Sequence, residues 1–108
     1  MSKWLDSYRV TIFVPLDALE DFILTVSPHI PAFLGTYDHV CWWSENGIEQ
    51  SRKVKDGVIK RVPCARFECF LPYDEKKVTA FIETAVKPAH PWEEPVIVIQ
   101  ETKNLSPA

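Results

Sequence analysis

Alternation marks the first element. Tyr8, Val10, Ile12 and Val14 fall on one side of an extended segment and Arg9, Thr11 and Phe13 on the other, the pattern of a half-buried strand that Pro15 ends. Asp17 followed by Glu20 has the form of a capping box, after which Leu19, Phe22, Ile23 and Val26 recur at helical spacing until Ser27-Pro28. Residues 36–43 are rich in aromatic and β-branched side chains and predict a second strand, with Ser44-Glu45-Asn46-Gly47 as a turn. Residues 50–62 are polar and basic, and Asp56-Gly57 within them suits the type I′ turn of a small hairpin. Alternation returns over 64–71 as a third strand. Asp74 then predicts the cap of a second helix, in which Val78, Phe81, Ile82 and Ala85 share one face, and Lys87-Pro88 closes it. Residues 96–100 form the fourth apolar run.

An internal echo orders these elements. Phe13-Val14-Pro15-Leu16-Asp17 matches Phe70-Leu71-Pro72-Tyr73-Asp74, and Phe22-Ile23-Leu24-Thr25 matches Phe81-Ile82-Glu83-Thr84 after a two-residue insertion. Two strand-proline-aspartate-helix units, each followed by a strand, give βαββαβ. The predicted fold class is therefore α+β, a ferredoxin-like sandwich with a four-stranded antiparallel sheet, two helices on one face, and an extra small hairpin between strands two and three. Phe13 and Phe70 share the parity of Arg9, Thr11, Arg66 and Glu68, which places two phenylalanines on the face the helices leave open and predicts association through it.

Composition narrows the classes of function. With 46% hydrophobic and 25% charged residues, the 108-residue chain reads as one globular domain, 1–108, rather than a disordered segment. Its net charge of −3 argues against a nucleic-acid footprint. The N-terminus has neither a signal-peptide pattern nor a membrane span, and three cysteines, an odd number, make reduced thiols in a cytoplasmic protein the expectation. No G-x-G-x-x-G, P-loop, G-x-S-x-G or H-E-x-x-H signature is present, so a non-enzymatic role is expected.

Candidate chemistry concentrates in His90-Pro91-Trp92-Glu93-Glu94-Pro95. Two prolines stiffen this connector, and it holds an imidazole, two carboxylates and an indole. His90, Glu93 and Glu94 are competent ligands for a divalent ion, but an extended chain spreads them apart, so a metal would need further ligands from elsewhere in the chain or from a neighbouring subunit. His39 and Cys41, two apart and so on one side of the predicted second strand with Tyr37 and Trp43, would suit zinc or copper with them. The plainer alternative makes Trp92 an anchor, lets the glutamates meet backbone donors or a partner arginine, and leaves His39 and Cys41 as ordinary packing residues. Cys64 and Cys69, five apart, face opposite ways and read as structural thiols. Arg52, Lys53, Lys55, Lys60 and Arg61 put five cations within ten residues, either an anion or nucleotide sensor or a solvated hairpin whose charges guard an exposed edge.

Two of these stretches carry a family resemblance. Ala89-His90-Pro91-Trp92-Glu93-Glu94-Pro95 resembles the A-H-P-Y-E-E-P segment of the small PII-like domain inserted in the YqfO/Nif-three-like family (NGG-one-interacting factor three), here standing alone. Gly35-Thr36-Tyr37-Asp38-His39 resembles that domain's G-x-Y-x-x-C region, with Val40 where the pattern has its cysteine and Cys41 one further on. The similarity runs from about Tyr8 to Ile99, and departs where Asn46-Gly47-Ile48-Glu49-Gln50 replaces a glycine-rich stretch. A further likeness links the segment before the last strand to CutA proteins. The resemblance implies a ferredoxin-like homo-oligomer, a trimer before a dimer. CutA similarity adds divalent-metal binding, and PII similarity adds ligand sensing by the loop between strands two and three.

The expectation is thus an oligomeric binding or regulatory module. Its site, for a metal or a small ligand, would lie between subunits near His90, Glu93, Glu94, His39 and Cys41, with Tyr37, Trp92, Arg52, Lys53 and Lys55 as ligand or interface contacts. A purely structural oligomerisation domain, with the hexapeptide locking strand four into a neighbouring chain, is the alternative.

Overall fold

A computed structural model describes residues 3–55 and 57–106. Its four strands are β1 (Lys3–Pro15), β2 (Trp42–Arg52), β3 (Ile59–Pro72) and β4 (Ile97–Ser106), arranged β2-β3-β1-β4 with every neighbouring pair antiparallel. The helices α1 (Leu19–Val26) and α2 (Glu75–Phe81) cover one face, so the molecule has the ferredoxin-like arrangement that the sequence echo predicts.

Parity explains the core. Val10, Ile12 and Val14 from β1 and Ala65, Phe67 and Cys69 from β3 point toward the helices and meet Phe22, Val26, Val78, Phe81 and Ala85. Phe22 touches Phe67 edge to face, with centroids 5.3 Å apart. The two helix entries then differ. Asp74 accepts from the amides of Lys76 and Lys77, whereas Asp17 makes no cap, because a single 3-10 turn (Leu16–Ala18) follows Pro15 and α1 starts from Ala18. Beyond α2 the chain opens into a wide π turn (Ile82–Val86) before Lys87–Ala89. In a regular helix the Pro88 ring would collide with the Thr84 carbonyl four residues earlier, and the wider turn relieves that clash.

Three expectations for the middle of the chain need correction. Residues 36–43 are mostly loop, and the second strand begins only at Trp42, whose pairing with Glu68 opens the β2-β3 ladder. Ser44 to Gly47 make a β-bulge, since the register with β3 slips between Ser44 and Gly47 without a reversal. A Cβ on Gly47 would lie 2.9 Å from the Cys64 carbonyl oxygen, so a glycine allows that close approach. Finally, the extra hairpin is no separate unit: residues 48–52 pair with 59–63 as the far end of one long β2-β3 ribbon. The Asp56-Gly57 turn expectation rests on residue 56, outside the described residues. Gly57 itself has φ +67°, within a connection of six residues, where I′ needs two.

This ribbon decides the shape. Pairing of β3 with β1 stops at Cys64–Pro15, so residues 59–63 have only β2 beside them. At the opposite end, residues 3–6 of β1 pair only with β4. Two ribbons thus leave the core in opposite directions, and the molecule extends 55 × 23 × 23 Å.

Candidate functional site

The connector between the last helical turn and β4 is built around a buried imidazole. Ala89 ends the helical segment and His90 turns extended, its amide still bonded to the Val86 carbonyl at 3.0 Å. The His90 ring is 7% exposed, lies edge-on to Phe22 with centroids 5.8 Å apart, and is flanked by Trp92. Both of its nitrogens are engaged. Trp92 N–H donates to Nδ1 at 3.1 Å, so Nε2 carries the proton and donates to the Phe13 carbonyl at 2.7 Å. His90 therefore pins the hexapeptide to the end of β1.

Within one chain, that geometry does not bring the candidate ligands together. A metal at His90 would have to displace either the Phe13 carbonyl or the Trp92 amide. Glu93 and Glu94 are exposed and have no ion-pair partner among the described residues. His39 stands in an exposed loop at φ 60°, its Nδ1 2.7 Å from Asp38 Oδ1, and does not share a strand face with Cys41. Among the described residues, no three or more His, Cys, Asp and Glu side chains gather as a metal cluster.

Other residues do come together. The 31–41 loop is closed by a bond from the His39 amide to the Ile30 carbonyl at 3.2 Å. Between this loop and the sheet lies an apolar cavity of about 300 Å³, whose lining includes Phe33, Leu34, Tyr37, Trp42, Phe70 and Leu105. Trp42 meets Phe70 edge to face at 5.6 Å. Sequence parity places Phe70 on the open face, as observed, whereas the segment that walls this cavity is a loop and not the strand its composition predicts. Elsewhere on that face, Glu68 accepts from Thr11 at 3.0 Å and lies within 3.7 Å of Arg9 and 3.5 Å of Arg66, while Ser7 bonds Asn104 and Arg9 bonds Gln100. Phe13 and Phe70 sit among these polar groups, as expected from the register Phe13–Arg66 and Arg9–Phe70.

Arg52, Lys53, Lys55 and Lys60 occupy the far end of the β2-β3 ribbon, all exposed and without ion-pair partners among the described residues. Arg61 donates to Gln50 across the strands at 2.9 Å. Around these cations lie uncovered apolar side chains: Ile48 is 71% exposed, Val54 85% and Ile59 60%. Ile48 opposes Pro63, and Arg52 opposes Ile59 on the same side of the ribbon.

Among the described residues, the three cysteine thiols are all held away from the reactive thiolate form. Burial pushes the thiols of Cys41 and Cys64 up and that of Cys69 up to about 12, away from the thiolate form a nucleophile needs. Tyr73, whose hydroxyl donates to Glu101 at 2.7 Å, is pushed up to about 12 by that bond and by the carboxylate's charge.

Two solved structures share the fold. A Bacillus cereus protein related to NIF3 superposes with a TM-score of 0.73 over 96% of this chain at 24% identity. Staphylococcus aureus protein SA1388 superposes with a TM-score of 0.60 over 97% at 22% identity. The chain spans 28% and 25% of those two proteins, so it corresponds to one domain-sized part of each. The structural neighbours thus include NIF3-related protein, in line with the sequence resemblance. No protein-family model matches the chain, and no curated protein matches it. Among the described residues, no helix is long and apolar enough to cross a membrane.

Proposed function

We propose that this chain is a non-enzymatic, self-associating module in which the projecting β2-β3 ribbon of one copy packs on the body of the next. The observation that carries this reading is the ribbon itself. A two-stranded ribbon without a third strand or a helix behind it is marginal in water, and this one leaves Ile48, Val54 and Ile59 uncovered. Charge supports the same pairing. Five cations against Glu49 and Asp56 put residues 48–61 at +3 in a chain of net −3, which leaves the rest of the molecule at −6. A cationic ribbon that meets a different, acidic surface makes a head-to-tail contact, and such contacts form a ring where the rotation between copies closes. A ring of three is the assembly expected. Double substitution of Ile48→Lys and Ile59→Lys tests the reading: the mass in solution falls to one chain while the far-ultraviolet dichroism is retained. An unchanged mass overturns it.

The loop cavity favours a second role, for a small ligand. Its volume of about 300 Å³ and aromatic walls suit a small neutral ring compound. Titration with indole would raise the melting temperature in step with the logarithm of its concentration, and Leu34→Arg would abolish the rise. No rise in the parent chain retires this role.

A further inference from the structure

We infer that Cys41 and Cys69 form an oxidation site, a pair of thiols that a low-molecular-weight disulfide converts into one intrachain bond across β2 and β3. The register carries the inference. Trp42 opposes Glu68 and Trp43 opposes Phe67 in the antiparallel ladder, so the position just before Trp42 faces Cys69. Opposed residues of such a ladder have Cα atoms about 4.5–5.5 Å apart, inside the roughly 4.4–6.8 Å that a disulfide spans. Both side chains turn to the same side: Cys69 is fully buried in the core, and Cys41 packs against that core from the end of the loop. The charge of a Cys41 thiolate also pushes the Cys69 thiol up, a sign of proximity. Cys64 is excluded, because it lies opposite Gly47 and Pro15 on the other face of β3.

The two thiols differ in access, and that orders the chemistry. Cys41 is half-buried, so its thiolate attacks the small disulfide first. One sulfur–sulfur bond breaks, a mixed disulfide forms on Cys41, and one small thiol leaves. Cys69 then loses its proton and attacks Cys41 Sγ, forming the intrachain bond and releasing the second small thiol. Two protein thiols are oxidised and one small disulfide is reduced to two thiols. Because burial holds both protein thiols in the protonated form, the conversion accelerates as pH rises.

The bond would fasten a wall of the apolar cavity. Val40 and Trp42 flank Cys41, Phe70 follows Cys69, and all three line that cavity. Oxidation therefore ties the end of the 31–41 loop to the central strand β3.

Incubation of the chain with oxidised glutathione, followed by alkylation and peptide mass mapping, tests this. The expected product has lost two hydrogens, carries a Cys41–Cys69 bond, leaves Cys64 alkylatable, and melts at a higher temperature until dithiothreitol is added. Cys69→Ala should stop at the glutathione adduct on Cys41, and Cys64→Ala should give the same bond as the parent. Three free thiols after prolonged incubation, a stable adduct on Cys41 in the parent chain, or a bond that includes Cys64 would each overturn the assignment.

Discussion

His90 donates from Nε2 to the carbonyl of Phe13 at 2.7 Å, joining residues separated by 77 positions in the chain. The same ring accepts from the Trp92 amide, so it supplies one donor and one acceptor to two backbone groups. Replacing His90 by Ala removes both bonds and empties a space beside Phe22. The expected cost is about 2–4 kcal/mol, read as a lower urea midpoint with the same slope. A variant within about 0.5 kcal/mol of the parent would show that the connector holds without the ring.

The metal expectation meets the same pair of bonds. Zinc or copper titrated calorimetrically into the chain should give no stoichiometric heat that disappears in Glu93→Gln/Glu94→Gln, because those carboxylates have no free imidazole beside them in one chain. A saturable site lost in that variant would instead place an ion at the connector, with its remaining ligands supplied by a second copy.

Gly47 and Gly35 offer a matched comparison. Gly47→Ala drives a methyl to within 2.9 Å of the Cys64 carbonyl, and should destabilise the bulge by about 1–3 kcal/mol. Gly35→Ala meets nothing within 4 Å and should be neutral or slightly stabilising, through a less flexible unfolded chain. Equal melting temperatures for the two variants would mean that the bulge is free to shift.

Tyr73 gives a pH signature. Its hydrogen bond to Glu101 favours the protonated phenol, with a folded-state pKa of about 12 against an ordinary value of 10.0. The sign follows: the contribution is fully present below pH 10, and is lost as the pH climbs from there toward 12. In a spectrophotometric titration, Glu101→Gln should move one phenolate transition downward, and Tyr73→Phe should remove it. A Glu101→Gln titration that overlays the parent contradicts the bond.

Where one face of an element is buried, the sequence displayed it. The alternate residues Tyr8 to Val14 of β1 and Ala65 to Leu71 of β3, with the Val78-Phe81-Ile82-Ala85 stripe, point inward as their periodicity predicts, because a strand parity or helix phase cannot change without exposing its whole apolar set. The bounds of β2 were hard to read for the converse reason. Its residues are almost all exposed, it carries a bulge at Ser44 to Gly47, and its pairing depends on β3 more than on any pattern of its own. The aromatic stretch 36–43 reads as a strand by composition, yet Tyr37, Val40 and Trp42 serve as cavity walls. The connector at His90 was visible as an unusual segment, while its role was not: whether an imidazole faces an ion or a backbone carbonyl depends on Phe13, which lies too far away in sequence to be inferred. The facing of Cys41 and Cys69 was hidden for the same reason, since it needs the β2-β3 register.

Light scattering coupled to size exclusion, at micromolar concentration, weighs the assembly directly against the 12.4 kDa of one chain. Three chains per particle are expected in the parent, weakening as salt screens the basic ribbon, and one chain in Ile48→Lys/Ile59→Lys. A parent mass of a single chain, with the ribbon exposed and the protein still folded, would contradict that assembly.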